Sequence, residues 1–187
     1  ADEMKALGTE LWGTPELSFR EFKSSRTLIR YLERNGFTVA TSAAGMPTAF
    51  VASAGHGKPI VALWTEEDAL AGMSQKAAPV REPIVVGGPG HACWHNLIGP
   101  STAAGAAAVA QFLKRTGTAG TIRVYGTPAE ETGGGKDFML GEMGVADGPT
   151  AQNHLDKAAW LDSLRTYLSS IPPTNSSGVC RYLFSTQ

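Results

Sequence analysis

Histidine and cysteine alternate along Gly90-His91-Ala92-Cys93-Trp94-His95-Asn96, and acidic residues gather at Glu66-Glu67-Asp68 and at Glu130-Glu131. In an extended segment, side chains alternate faces with a period of two, so His91, Cys93 and His95 are expected on one side. Imidazole nitrogen, thiolate sulfur and carboxylate oxygen are the groups that hold zinc, and mixed nitrogen and oxygen sets also suit manganese. A cysteine alone is more often a small buried hydrophobe than a ligand. Here it lies between two of the chain's four histidines, with Gly90 and Gly99 flanking the run, which favours a site. Glu130-Glu131 alone would read as a solvated face, but the pair follows an apolar run and precedes Gly133-Gly134-Gly135. Glu66, Glu67 and Asp68 read equally well as a solvated turn or as part of a site.

Two other motifs fail on spacing. Gly133-Gly134-Gly135-Lys136 resembles a phosphate loop, but the required first glycine falls at Glu130 and the residue after the lysine is Asp137 rather than Ser or Thr. Gly88-Pro89-Gly90 is no dinucleotide fingerprint, because Cys93 stands where the third glycine belongs.

The elements that must position these residues alternate in an α/β pattern. Leu17, Phe22, Ile29 and Leu32 recur at helical spacing ahead of Asn35-Gly36, where glycine accepts a left-handed cap. Two β-prone runs, 48–53 and 60–65, flank Gly55-His56-Gly57-Lys58 and are expected to form a hairpin or adjacent strands. Residues 66–90 hold too many glycines and prolines for regular structure, and loops of that length are often functional. Ser101 or Thr102 could cap a small-residue helix ending near Gly117. A buried strand is expected at 121–125 and a short helix at 136–143. Acidic clusters that follow strands lie where open α/β sheets carry their sites.

Bulk properties narrow the class further. At 187 residues the chain suits one domain with a tail. Its 16 Lys+Arg against 17 Asp+Glu, net charge −1, give no reason to expect a nucleic acid or an anionic membrane as partner. Two cysteines, Cys93 and Cys180, are too few for a disulfide scaffold and point to a reducing, cytoplasmic setting. No leader-like segment or membrane-length apolar run occurs in the sequence.

Four motifs in order, GTPELSFREFKSS, EEDALAGMSQ, GHACWHN and GTPAEETGGGK, resemble the metallo-amidohydrolases and metallopeptidases of the aminoacylase and carboxypeptidase type. The likeness covers roughly residues 10–147. It implies a three-layer, metallopeptidase-like α/β catalytic domain, with a mixed sheet flanked by helices and present in part, over 1–147. The remainder, 148–187, reads as a divergent tail of one helix and an irregular segment, and the family's lid or dimerisation domain has no counterpart. The resemblance further implies two divalent ions, zinc or manganese, with Cys93, His95, Glu131 and His154 as metal ligands. It makes Glu130 the general base and gives Asp68 a supporting catalytic role. Two departures stand out: Trp94 replaces the glycine usual between Cys and His, and Ala71 replaces the proline of the segment around Asp68.

The expected function is therefore hydrolysis of an amide bond in an N-acyl amino acid or aminobenzoyl-glutamate-like small molecule. The alternatives are a catalytically inactive metal-binding fragment and a plain α/β interaction module. A missing half would leave apolar surface exposed, so self-association is also expected.

Overall fold

In a computed structural model, residues 2–142 are described; the expected tail helix, His154 and Cys180 lie outside them. The chain divides into two units, residues 1–139 and 140–187. The sheet, its helices and the acidic loops belong to the first.

Helices α1 (Asp2–Gly13) and α2 (Phe22–Arg34) precede strands β1 (Thr38–Thr41), β2 (Phe50–His56) and β3 (Ile60–Thr65). Helix α3 (His95–Thr116), strand β4 (Gly120–Gly126) and helix α4 (Gly135–Glu142) follow. The sheet order is β1-β2-β4-β3, antiparallel except for the parallel β3–β4 pair. The fold is α/β with a mixed sheet, as expected. The expected hairpin of β2 and β3 does not form, because β4 inserts between them. Burial agrees with the order: β4 has no exposed position, as suits a central strand, while β3 at the edge has exposed ones.

Leu28, Leu32, Phe50, Ala52, Ile122 and Val124 form the core with Ala103, Ala106 and Ala107 of α3. Alanines on the inner face of α3 let that helix lie close to the sheet without overpacking. Gly126 ends β4 against the Phe50 ring, where an added Cβ would sit 2.1 Å from Phe50 Cε1. On the opposite face of the sheet Trp64 stacks on Tyr125 with ring centroids 5.0 Å apart. Helix α3 closes at Gly117, whose φ of 67° is the left-handed cap. It begins at His95, six residues before the expected Ser101 cap.

Two carboxylates organise the start of α2. Glu16 reaches forward to accept from the backbone N–H groups of Lys23 and Ser24, at 3.0 and 2.8 Å, and satisfies donors that the helix itself leaves free. Glu21 is fully buried and accepts from the Phe19 and Ala129 N–H groups, both at 2.8 Å, and from the Thr48 hydroxyl at 2.8 Å. It thereby pins Ala129, a non-glycine residue at φ 59°, to the beginning of α2.

Burial raises the Glu21 carboxyl pKa against the opposing hydrogen bonds. A raised folded-state value favours the protonated form, so this contribution to stability is full below the unfolded pKa and is lost as pH rises through the folded one. Urea unfolding of Glu21→Gln, which cannot ionise, should lose that pH dependence and equal or exceed the parent at pH 8. Glu21→Ala should unfold more easily at both pH 5 and pH 8, by about 1–3 kcal/mol, because the buried Ala129 N–H loses its acceptor.

Candidate metal centre

Strands β3 and β4 are parallel and in register, Thr65 opposite Gly126, so their carboxyl ends deliver two loops side by side. The first carries Glu66, Glu67 and Asp68; the second carries Glu130 and Glu131. Thr127 ties them together by donating from its N–H and its hydroxyl to the Thr65 carbonyl, each at 2.8 Å. Helix α3 must begin at this same end of the sheet to carry the chain back to the start of β4, which brings its first residue, His95, between the loops.

His95 is buried, 1% exposed, among four carboxylates. Its Nδ1 lies 2.8 Å from the Asp68 carbonyl oxygen, 3.2 Å from Asp68 Oδ1 and 3.9 Å from Glu131 Oε1. Its Nε2 lies 3.1 Å from Glu66 Oε2 and 3.8 Å from Glu130 Oε2. Burial works against the imidazolium, but hydrogen bonds to Asp68 and Glu66 outweigh it and push the pKa up to about 11. The same hydrogen bond to His95 holds Glu66 below the usual carboxylate range, with Lys136 in contact on its other side.

Asp68 fixes both the ring and its surroundings. Burial opposes its charge, yet hydrogen bonds from His95, from the Glu131 N–H at 2.9 Å and from the Ser18 hydroxyl at 2.9 Å keep its pKa low. The Ser18 hydroxyl in turn accepts from Thr132 at 2.7 Å, so the segment before α2 also borders the site. Glu67 is fully buried with both carboxyl oxygens unpartnered, and burial raises its pKa well above normal, favouring the neutral form. The reading of 66–68 as a solvated turn is thus replaced by one ion-paired acid, one buried acid without partners and one buried clamp.

The expectation that His91, Cys93 and His95 share one side is corrected. Trp94 at φ 67° turns the chain, and His95 enters the helix. Cys93 is exposed, while His91 turns away so that its Nε2 lies 3.1 Å from the Leu11 carbonyl. What does converge is Cys93, His95 and Glu131, with one potential donor atom from each within 4.8 Å of the others. Glu66, His95 and Glu130 make a second such group sharing the imidazole.

These donors fit a divalent transition ion. Thiol, imidazole and carboxylate together suit zinc, and the oxygen-rich second group also suits manganese. Glu131 Oε1 is buried with no hydrogen-bond partner and stands 3.9 Å from His95 Nδ1, a position that a bound cation would satisfy better. The Cys93 thiol is pushed up by the protein around it and then by the charge of Glu131, so a thiolate there would depend on added positive charge. Coordination through a ring nitrogen would likewise require His95 to lose its proton. The Asp68 carbonyl is placed to hold Nδ1–H and leave Nε2 available, the usual support for a ligating histidine.

Lys136 is the site residue that the sequence reading missed, and the sequence leaves Glu66 open between solvent and site. Their signal was position: Glu66 is the first residue after β3, and Lys136 follows the glycine run after Glu131. His154 lies outside the described residues.

Known proteins give this geometry a context. No model of a known protein family matches the chain. It is 46% identical over 142 residues to a p-aminobenzoyl-glutamate hydrolase polypeptide of Escherichia coli K12, covering 75% of this chain and 29% of that protein. It is 32% identical over 155 residues to the human Xaa-Arg dipeptidase, covering 75% of this chain and 32% of that one. Among solved structures, a dinuclear metal-binding peptidase of the M20 family from Bacillus subtilis superposes with a TM-score of 0.65 at 26% identity, over 78% of this chain and 40% of its own. The chain therefore belongs to the metallo-amidohydrolase and metallopeptidase family of the aminoacylase and carboxypeptidase type, and spans about three-tenths of the length of the curated relatives it matches.

Proposed function

We propose that this chain carries metal-binding and proton-transfer residues of a hydrolase that cleaves the amide bond of N-acyl amino acids or aminobenzoyl-glutamate-like molecules. The observation that carries the reading is the convergence of Cys93, His95 and Glu131, with Glu131 Oε1 buried and without a hydrogen-bond partner. In this reading these three residues hold a divalent ion, zinc or manganese, and His154 supplies a further ligand. Two such ions, when bound, would lower the pKa of coordinated water toward about 7 and polarise the scissile carbonyl.

Glu130 is the general base. Its side chain is 37% exposed and stands near the imidazole without sharing the buried position of Glu131. It can therefore take a proton from water at the site and return it to the leaving amine. Asp68 acts through others, orienting His95 and the Glu131 backbone. A free Cys93 ligand fits a reducing, cytoplasmic setting, and no helix among the described residues is long and apolar enough to cross a membrane. Exposed Val61, Phe112 and Leu97 support self-association, which solution mass would reveal.

Turnover of aminobenzoyl-glutamate with saturating metal tests this hydrolase reading directly.

Elemental analysis of protein purified without chelator should find zinc or manganese, and Cys93→Ala should lower the stoichiometry while leaving the circular dichroism unchanged. Metal retained in full by a Cys93→Ala, His95→Ala double variant would overturn the assignment. Where activity is measurable, Glu130→Gln should reduce kcat by roughly 100-fold or more with metal content intact, because the amide keeps the shape and removes the base. Unchanged kcat in that variant would assign the base elsewhere.

A further inference from the structure

At the end of the sheet away from the metal centre, the last turns of α2 and α3 and the end of β2 enclose a cavity of about 620 Å³. Strand β4 spans the two ends: Gly120 pairs with His56 at the cavity, and Gly126 lies opposite Thr65 at the acidic loops. Helix α3 starts at His95 in the metal centre, and its 22 residues rise roughly 33 Å to the turn that lines the cavity. Every ionisable side chain in that lining is basic: Arg34, His56 and Lys114. No Asp or Glu joins them, although acidic residues outnumber Lys and Arg in the chain.

Basic residues near helix ends commonly neutralise terminal carbonyls, but here other donors already do so. The Asn35 and Gly36 N–H groups donate to the carbonyls of Tyr31, Leu32 and Glu33, and the Asn35 side chain donates to Tyr31 as well. At the end of α3 the Thr116 hydroxyl donates to the Phe112 carbonyl. The side chains of His56 and Lys114 are exposed and have no hydrogen-bond or ion-pair partner among the described residues. Arg34 meets Glu3 at 3.4 Å through one nitrogen while 63% exposed, which leaves most of its donors free. The cavity thus holds spare donors and positive charge beside the apolar side chains of Ala54, Ala110 and Leu113.

We propose that this cavity binds a phosphate dianion, free or carried by a small organic molecule, through Arg34, His56 and Lys114. A dianion gives all three groups an acceptor in charge-assisted hydrogen bonds, with the guanidinium as a fork and the ammonium as a point charge. The volume suits a small molecule, and the apolar wall would meet its organic part. No metal takes part, so the site stands whether or not the metal assignment holds.

The test is titration of the full chain with inorganic phosphate and with phenyl phosphate, in chelator and at constant ionic strength, followed by calorimetry and by backbone amide chemical shifts. Binding should saturate and move the Gly36, Gly55 and Gly117 resonances, whereas acetate should not. Lys114→Met should weaken phosphate binding roughly tenfold, as loss of a charged hydrogen bond implies, with circular dichroism unchanged. Arg34→Gln should act likewise, and Lys114→Arg should retain binding. A Cys93→Ala, His95→Ala variant should bind phosphate as the wild type does. Tighter binding of phenyl phosphate would identify the ligand as an organic phosphate, and equal binding as free phosphate. No saturable binding of either probe, an unchanged affinity in Lys114→Met, or shifts confined to residues 66–68 and 127–136 would overturn the proposal. Loss of binding in the Cys93→Ala, His95→Ala variant would overturn it too, by placing the anion at the acidic loops.

Discussion

The site depends on one buried imidazole. Glu66, Asp68, Glu130 and Glu131 all come within 3.9 Å of His95 through side-chain oxygens, and such a group of carboxylates is stable only around positive charge. The hydrogen bonds of His95 to Asp68 and Glu66 favour a protonated ring that can supply that charge, with Lys136 against Glu66. This explains how so acidic a cluster can be packed beneath two loops. It also makes His95 the residue on which two candidate donor groups converge, so proton and metal occupancy are alternatives at the same place.

Carboxylates also do the mechanical work around the site. Glu21 grips the Ala129 amide from inside the core, Asp68 grips the Glu131 amide, and Glu16 takes the free N–H groups at the start of α2. Each replaces a flexible loop contact by a charge-assisted or buried hydrogen bond of fixed direction. The Glu130-Glu131 loop is therefore held at both Ala129 and Glu131, by residues more than 60 positions away in sequence. Glu67 is the cost of such crowding, since its carboxyl is buried without partners beside Glu21 and Asp68, which favours its neutral form.

Family membership and the chain's own departures bear on different parts of this arrangement. The dinuclear M20 peptidase shares the fold at a TM-score of 0.65 and gives metal chemistry its context. Trp94 leaves the converging side chains of Cys93, His95 and Glu131 together, but puts an indole at the mouth of a neighbouring cavity. Its effect falls on what can lie next to the metal centre rather than on the donors themselves.

By itself the sequence determined the α/β class, the extent of β3, the buried strand near 121–125 and the glycine end of α3, because local periodicity and left-handed glycine are written in residue types. It offered Cys93 and His95 as candidate donors by their types, and Glu131 through the family resemblance. It did not determine the α1 helix or the six residues by which α3 starts early, the latter because α3 follows Trp94 without a side-chain cap. Only the tertiary structure decided that β4 separates β2 from β3, that His91 turns to Leu11 while His95 joins Glu131, and that Glu21, Glu66 and Lys136 belong around the site. Those outcomes depend on strand order and on which carboxylate meets which amide across the fold. Such long-range pairings follow from packing the whole chain, and no local window of residues contains them.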